Sequence, residues 1–176
     1  MKITAIVIVS LVLGLATSGV AQENLILKKG QAGGMVVGQS FYDGLSRGDD
    51  VRTAEDPTVI EIYRAGKLFM RLEVEVKMFA SLEYVVKVIN VFDDKFRTES
   101  GIGVGSTLAD IRAKYPDAQS GKTDDGRQAV MAGELEMDFW LERAKNPSRS
   151  ILILGRDSDS IESPDRDLKV ISITIR

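Results

Sequence analysis

The chain has no cysteine and no histidine among its 176 residues. The first absence excludes disulfides, thiolate metal sites, a thiol nucleophile and a lipid-modified cysteine anchor. The second removes the Ser-His-Asp relay, the imidazole general base and the imidazole metal ligand. Positive charge is not in excess either: 23 Lys and Arg against 26 Asp and Glu leave a formal charge of −3, which disfavours a nucleic-acid backbone as partner. Aromatic residues make up only 6 % of the chain, while 44 % is apolar, the balance of a soluble globular protein.

There is one long apolar run, and it opens the chain. Met1-Lys2 supplies a positive start, Ile3 to Ala16 is almost unbroken apolar sequence, and Thr17-Ser18-Gly19-Val20-Ala21 presents small residues for cleavage before Gln22. This pattern predicts a secretory signal peptide over 1–21. The run is short of the ~20 residues that span a bilayer. The expected product begins at Gln22 and lies in the periplasm or outside the cell with no membrane anchor.

Internal similarity organises the remainder. At a shift of 67, Gly34-Met35-Val36-Val37-Gly38-Gln39-Ser40-Phe41-Tyr42-Asp43 aligns with Gly101-Ile102-Gly103-Val104-Gly105-Ser106-Thr107-Leu108-Ala109-Asp110, with four identities. The same shift places Ala65-Gly66 on Ala132-Gly133 and the alternating run after the first on the run after the second. A later pair, Val86–Val91 with Leu168–Ile173, aligns at 82, leaving 15 extra residues in the second copy. Similarity at a fixed spacing signals a repeated unit.

Each copy reads in the same order. Ser40 or Thr107 stands three residues before Asp43 or Asp110, the spacing of a capping box at a helix start. Leu108, Ile111 and Tyr115 share one helical stripe before Pro116 stops it, and Phe41 with Leu45 begins a shorter one weakened by Gly44 and Gly48. Leu68, Met70, Leu72 and Val74 alternate with Lys67, Phe69, Arg71 and Glu73, and Leu135, Met137, Phe139 and Leu141 with Glu136, Asp138, Trp140 and Glu142, the period of a half-buried strand. Thr58–Arg64, Tyr84–Phe92, Ser150–Leu154 and Lys169–Ile175 are further Val- and Ile-rich strands. The expected fold is α+β: two tandem copies of a short helix packed on antiparallel strands. The copies occupy 22–95 and 96–176, the second with an inserted polar loop at about 155–167.

Candidate chemistry is sparse. Gly101 to Thr107 resembles a glycine-rich phosphate cradle, which makes Gly103, Gly105 and Ser106 candidate binding residues, but Ser106 stands where a dinucleotide fingerprint needs glycine. A tight turn with a helix cap is the simpler reading. Gly121-Lys122-Thr123 lacks the leading glycine of a P-loop, since Pro116 occupies its place. Asp157 to Asp167 gathers carboxylates suited to calcium, but Ile161 and Glu162 break the EF-hand pattern, and a solvated loop rich in Ser and Asp is the favoured reading. No cofactor, metal or catalytic residue is assigned on these grounds. Paired carboxylates remain the one hydrolytic device the composition permits. Arg47-Gly48-Asp49 matches a cell-adhesion tripeptide and is given no role. Phe69 and Trp140 fall on the outward positions of their strands and are candidate contact residues, since aromatic anchors in polar surroundings serve binding surfaces.

The segment Phe96-Arg97-Thr98-Glu99-Ser100-Gly101-Ile102-Gly103-Val104-Gly105-Ser106-Thr107-Leu108, followed by Tyr115-Pro116, resembles small uncharacterised secreted or periplasmic bacterial proteins. That resemblance implies no activity. More loosely, a glycine turn, short helix and antiparallel strands present twice is similar to the β-lactamase-inhibitor protein and to the small outer-membrane assembly lipoproteins. Their Gly-Met-Ser/Thr motif is replaced here by Val37-Gly38-Gln39-Ser40 and Val104-Gly105-Ser106-Thr107.

These readings point away from an enzyme and toward an exported protein that binds another envelope or extracellular macromolecule through an exposed sheet face. Two alternatives stand beside it: a carboxylate-dependent hydrolase of a glycan-like polymer, and a carrier of a small apolar ligand.

Overall fold

A computed structural model describes residues 25–78, 82–123, 127–142 and 167–176. The segment 1–21 expected to be a signal peptide, the strand expected at Ser150–Leu154 and most of the acidic loop at 157–167 lie outside the described residues.

The chain opens with three short strands, β1 (Ile26–Lys28), β2 (Gln31–Ala32) and β3 (Met35–Val36), followed by a 3₁₀ turn at Phe41–Gly44. Four strands follow: β4 (Asp50–Thr53), β5 (Val59–Arg64), β6 (Lys67–Met78) and β7 (Leu82–Val91). After β8 (Arg97–Thr98) comes α1 (Leu108–Lys114), then β9 (Gln119–Lys122), β10 (Gln128–Ala132), β11 (Met137–Leu141) and β12 (Val170–Ile175). A small sheet has the order β3-β2-β1-β8, with β1 and β8 parallel. The large sheet is antiparallel throughout, in the order β4-β5-β6-β7-β12-β11-β10-β9.

Alternation selects the inner face of the large sheet. Ile62, Met70, Val91, Ile173, Phe139 and Val130 stand opposite one another across six successive strands and are all buried. Each such side chain contributes about 1.5–3 kcal/mol when removed from water. Leu27, Ala32 and Met35 of the small sheet, together with Phe96, Leu108 and Ile111, belong to the same buried cluster. Among the described residues both sheets and the helix therefore share one core.

The expected α+β duplication is not what forms. The described residues are mostly β, 52 % strand against 11 % helical with one α-helix among them, and they do not form two helix-on-sheet modules. Two physical causes are visible. At Phe41–Gly44 the Ser40 side chain makes no capping bond and the segment closes after one 3₁₀ turn. A Cβ at Gly44 would meet Met35 Sδ at 2.5 Å and the Gly34 carbonyl at 2.7 Å, so this segment is packed as a tight turn rather than extended as a helix. Second, β7 pairs with β12, which fuses all the long strands into one sheet. The second alternating run is also displaced. Ala65 (φ 49°) and Gly66 (φ 76°) make the tight hairpin expected between β5 and β6. Ala132-Gly133 does not repeat it, because a 3₁₀ turn at Gly133–Leu135 and a left-handed Glu136 intervene before β11.

α1 follows its sequence signals closely. Asp110 N–H donates to Thr107 Oγ1 at 3.1 Å and Thr107 N–H donates to Asp110 Oδ2 at 2.8 Å, a complete capping box. The Thr107 backbone hydrogen bond, then its hydroxyl, holds the Asp110 carboxyl below its ordinary range. Leu108 and Ile111 are buried, and Tyr115 beyond the helix donates its hydroxyl to buried Thr98 at 3.0 Å. Among the described residues no helix is long and apolar enough to cross a membrane.

Candidate functional site

Two concave regions lie on opposite sides of the large sheet. The first is a groove of about 450 Å³ on the outer face, bordered by Arg71, Glu73, Asn90, Arg127, Trp140 and Arg176 among others. Strand register builds it. Arg52, Glu61, Arg71, Asn90, Thr174 and Asp138 stand in cross-strand register over β4, β5, β6, β7, β12 and β11, and side chains in register share one face. The result is a polar row beneath which the apolar core lies.

Trp140 is fixed to this row. Its indole Nε1–H donates to Thr174 Oγ1 at 2.9 Å, and the Thr174 hydroxyl donates to Asn90 Oδ1 at 2.6 Å. Arg127 lies over the indole face, 5.0 Å from the ring centroid, within cation–π range. At the far end Arg71 donates to Glu61 Oε1 through Nε (3.1 Å) and a terminal nitrogen (2.6 Å), and Tyr63 donates its hydroxyl to Glu61 Oε2 at 2.9 Å. The Arg71 bonds first, and the Tyr63 bond second, hold Glu61 below the usual carboxylate range, while the Tyr63 phenol is pushed up chiefly by that same carboxylate. Arg176 pairs with Asp138 at 2.5 Å.

The second region is a cavity of about 370 Å³ between the small sheet and the inner face of the first half of the large one. Its walls include Met35, Met70, Phe69 and Phe96, and Asp49 and Arg64 stand at its polar side. Arg64 donates to Asp49 Oδ1 at 2.6 Å and Oδ2 at 3.3 Å, Ser46 N–H donates to Oδ2 at 2.9 Å, and the guanidinium stacks 3.8 Å above the Phe69 ring.

The residues singled out by sequence are therefore not one surface. Trp140 is half-buried in the outer groove. Phe69, expected to point outward, is buried and packs on Phe96 at 4.9 Å between ring centroids. The register shift between Ile62 and Tyr63 sets Met70 against Ile62 and Leu68 against Tyr63, so Phe69 sits in a bulge that turns it into the core. Gly103, Gly105 and Ser106 form the turn before α1. Gly103 N–H donates to Ser106 Oγ, Gly105 N–H to the Val170 carbonyl and Ser106 N–H to the Gly103 carbonyl. A Cβ at Gly103 would collide with the Phe96 carbonyl and the Arg97 side chain. These donors hold the turn together instead of facing outward as an anion cradle.

Asn90, Thr174 and Arg71 were not singled out by sequence, although an asparagine inside the Val- and Ile-rich β7 is itself a signal, since Asn is depleted in strands. Among the described residues, the carboxylates whose titration is displaced, Asp56, Glu61, Glu75 and Asp110, are displaced downward. A glycosidic general acid needs the opposite displacement. Among the described residues no group of three or more Asp or Glu is placed to hold a metal ion.

No protein-family model matches the chain, and no curated protein matches it. Among solved structures the chain is similar to the crystal structure of the uncharacterized protein yfeY from Escherichia coli, at a TM-score of 0.49 and 15 % identity over 87 % of this chain and 99 % of that one. A likeness of that degree carries no functional argument.

Proposed function

We propose that this chain is an exported, non-catalytic binding protein that engages an envelope or extracellular macromolecule through the outer face of the large sheet. The observation that carries the reading is the Trp140–Thr174–Asn90 hydrogen-bond chain, which sets an aromatic side chain rigidly in an open polar groove. A held aromatic needs little further ordering on contact, and such anchors dominate binding energy. Arg71, Arg127 and Arg176 border the groove together with Glu73, and Glu61 and Asp138 pair with two of these arginines, so the face carries both signs of charge in balance. The arginines of the pairs Arg71–Glu61 and Arg176–Asp138 are 44 % and 60 % exposed while their carboxylates are only 16 % and 10 % exposed, so these pairs fix the polar row in place.

The test uses capture from envelope extract with the immobilised protein, comparing the unaltered chain with Trp140→Ala and Arg71→Glu at matched melting temperature. Loss of the same captured species in both variants supports the reading, and equal capture by all three proteins refutes it. Trp140 is the chain's only tryptophan, so its fluorescence must shift when the purified captured species is added back.

A further inference from the structure

The hydrogen-bond chain under Trp140 runs in one sense only. An indole N–H donates and never accepts, so Thr174 Oγ1 accepts from Trp140 and has its own proton left for Asn90 Oδ1. The Asn90 amide is thereby oriented with its oxygen engaged and its two N–H groups outside the chain. Among the described residues those N–H groups have no protein partner, and no side-chain nitrogen or oxygen is sealed off unpaired. They therefore open into the groove that Asn90 borders.

Glu73 stands diagonally across from this amide, since Arg71 is opposite Asn90 and Glu73 is opposite Val88. Diagonal neighbours lie roughly 7–8 Å apart at the backbone, within reach of long side chains. Glu73 is exposed and borders the same groove, and among the described residues its carboxylate is paired with no cation. A fixed donor and an acceptor-only group thus face one strip of groove. Adjacent hydroxyls on a sugar ring answer both: one accepts from the Asn90 amide and the next donates to Glu73. The half-buried rings of Trp140 and Phe92 border the same groove, apolar surface for the C–H groups of the sugar. Arg71 and Arg176 are engaged by Glu61 and Asp138, so an uncharged ligand meets no strong field of either sign.

We propose, resting on the reading that the outer groove is where the partner binds, that this partner is a neutral polysaccharide, held by vicinal hydroxyls between Asn90 Nδ2 and the Glu73 carboxylate beside Trp140.

Cellohexaose and maltohexaose are the probes. In calorimetric titration at least one should bind the purified chain with a dissociation constant of about 0.1–1 mM, and the fluorescence of Trp140, the only tryptophan, should move along the same isotherm. That affinity should stay constant between about 0.02 and 0.5 M sodium chloride, because no ion pair forms. Glu73→Gln, a change at an exposed side chain, should weaken binding about tenfold with no change in melting temperature, and Asn90→Asp, which keeps the oxygen that Thr174 needs, should do likewise in affinity. Four results overturn the proposal: no saturation by either sugar at about 10 mM, unmoved Trp140 fluorescence, affinity that falls with salt, or unaltered affinity in Glu73→Gln. Capture from envelope extract that depends on Trp140 but is not competed by either hexasaccharide would overturn it alone and leave binding through the outer face standing. Capture that ignores Trp140 and Arg71 would overturn both.

Discussion

The two halves of the large sheet start alike and end differently. In the first, Gly38 N–H donates to the Val86 carbonyl and Val86 N–H to the Gln39 carbonyl; in the second, Gly105 N–H donates to the Val170 carbonyl and Val170 N–H to the Ser106 carbonyl. Each turn is thus tied to the last strand of its own half. A hydroxyl residue and an acid three positions later follow in both, Ser40 with Asp43 and Thr107 with Asp110. Only Thr107 closes a capping box and starts an α-helix. The lesson concerns what a cap does: it satisfies N–H groups at a helix start but does not supply the turns that follow. Beyond Asp110 stand Ile111-Arg112-Ala113-Lys114, good helix formers with one buried anchor. Beyond Asp43 stands Gly44, pressed against Met35 and Gly34.

Substitutions can break this contrast. The largest effect is expected at Ile111, fully buried under α1. Ile111→Ala should lower unfolding free energy by about 2–5 kcal/mol in a denaturant titration. Gly44→Ala comes next. It should cost about 1–3 kcal/mol, because the added methyl has to displace Met35 or the Gly34 carbonyl; an unchanged midpoint would mean the turn is not held by that close approach. Thr107→Ala should cost about 1 kcal/mol through loss of the cap, whereas Ser40→Ala, whose side chain makes no capping bond, should leave the midpoint unmoved. Equal losses at the two positions would erase the distinction between the halves.

The smallest effect is a pH dependence. Asp110 and Glu61 have lowered folded-state values, through the Thr107 backbone bond and the Arg71 side chain respectively. A lowered carboxyl contributes stability that is complete above its unfolded value, near 4, and is lost as pH falls through the folded value. Melting temperature should therefore decline more steeply below about pH 4 in the unaltered chain than in Asp110→Asn, which has already lost the charged cap.

Much of the strand content was legible in the sequence. Val59–Arg64 and Val170–Ile175 lie where Val and Ile accumulate, and the Ala65-Gly66 turn is where two positive φ angles were needed. Fold class was not legible, because equal spacing in sequence does not carry equal backbone geometry. The shift of 67 that aligns the two alternating runs becomes 70 between the starts of β6 at Lys67 and β11 at Met137, the difference being taken up by the 3₁₀ turn before β11. The candidate site was half legible. Trp140 was identified as outward, but the bulge that buries Phe69 depends on how β5 registers against β6, and alternation along one strand holds no record of its partner.

By itself the sequence determined which chemistry is missing, where α1 begins and stops, and which strands have an apolar face. Those are local matters of side-chain inventory, capping and periodicity. Tertiary structure alone decided that β7 joins β12, that Asn90 and Thr174 meet to hold Trp140, and that Asp49 meets Arg64 beside a cavity. Each of these depends on hydrogen bonds between residues distant in the chain, and such bonds exist only once the strands have been brought into register around a common core.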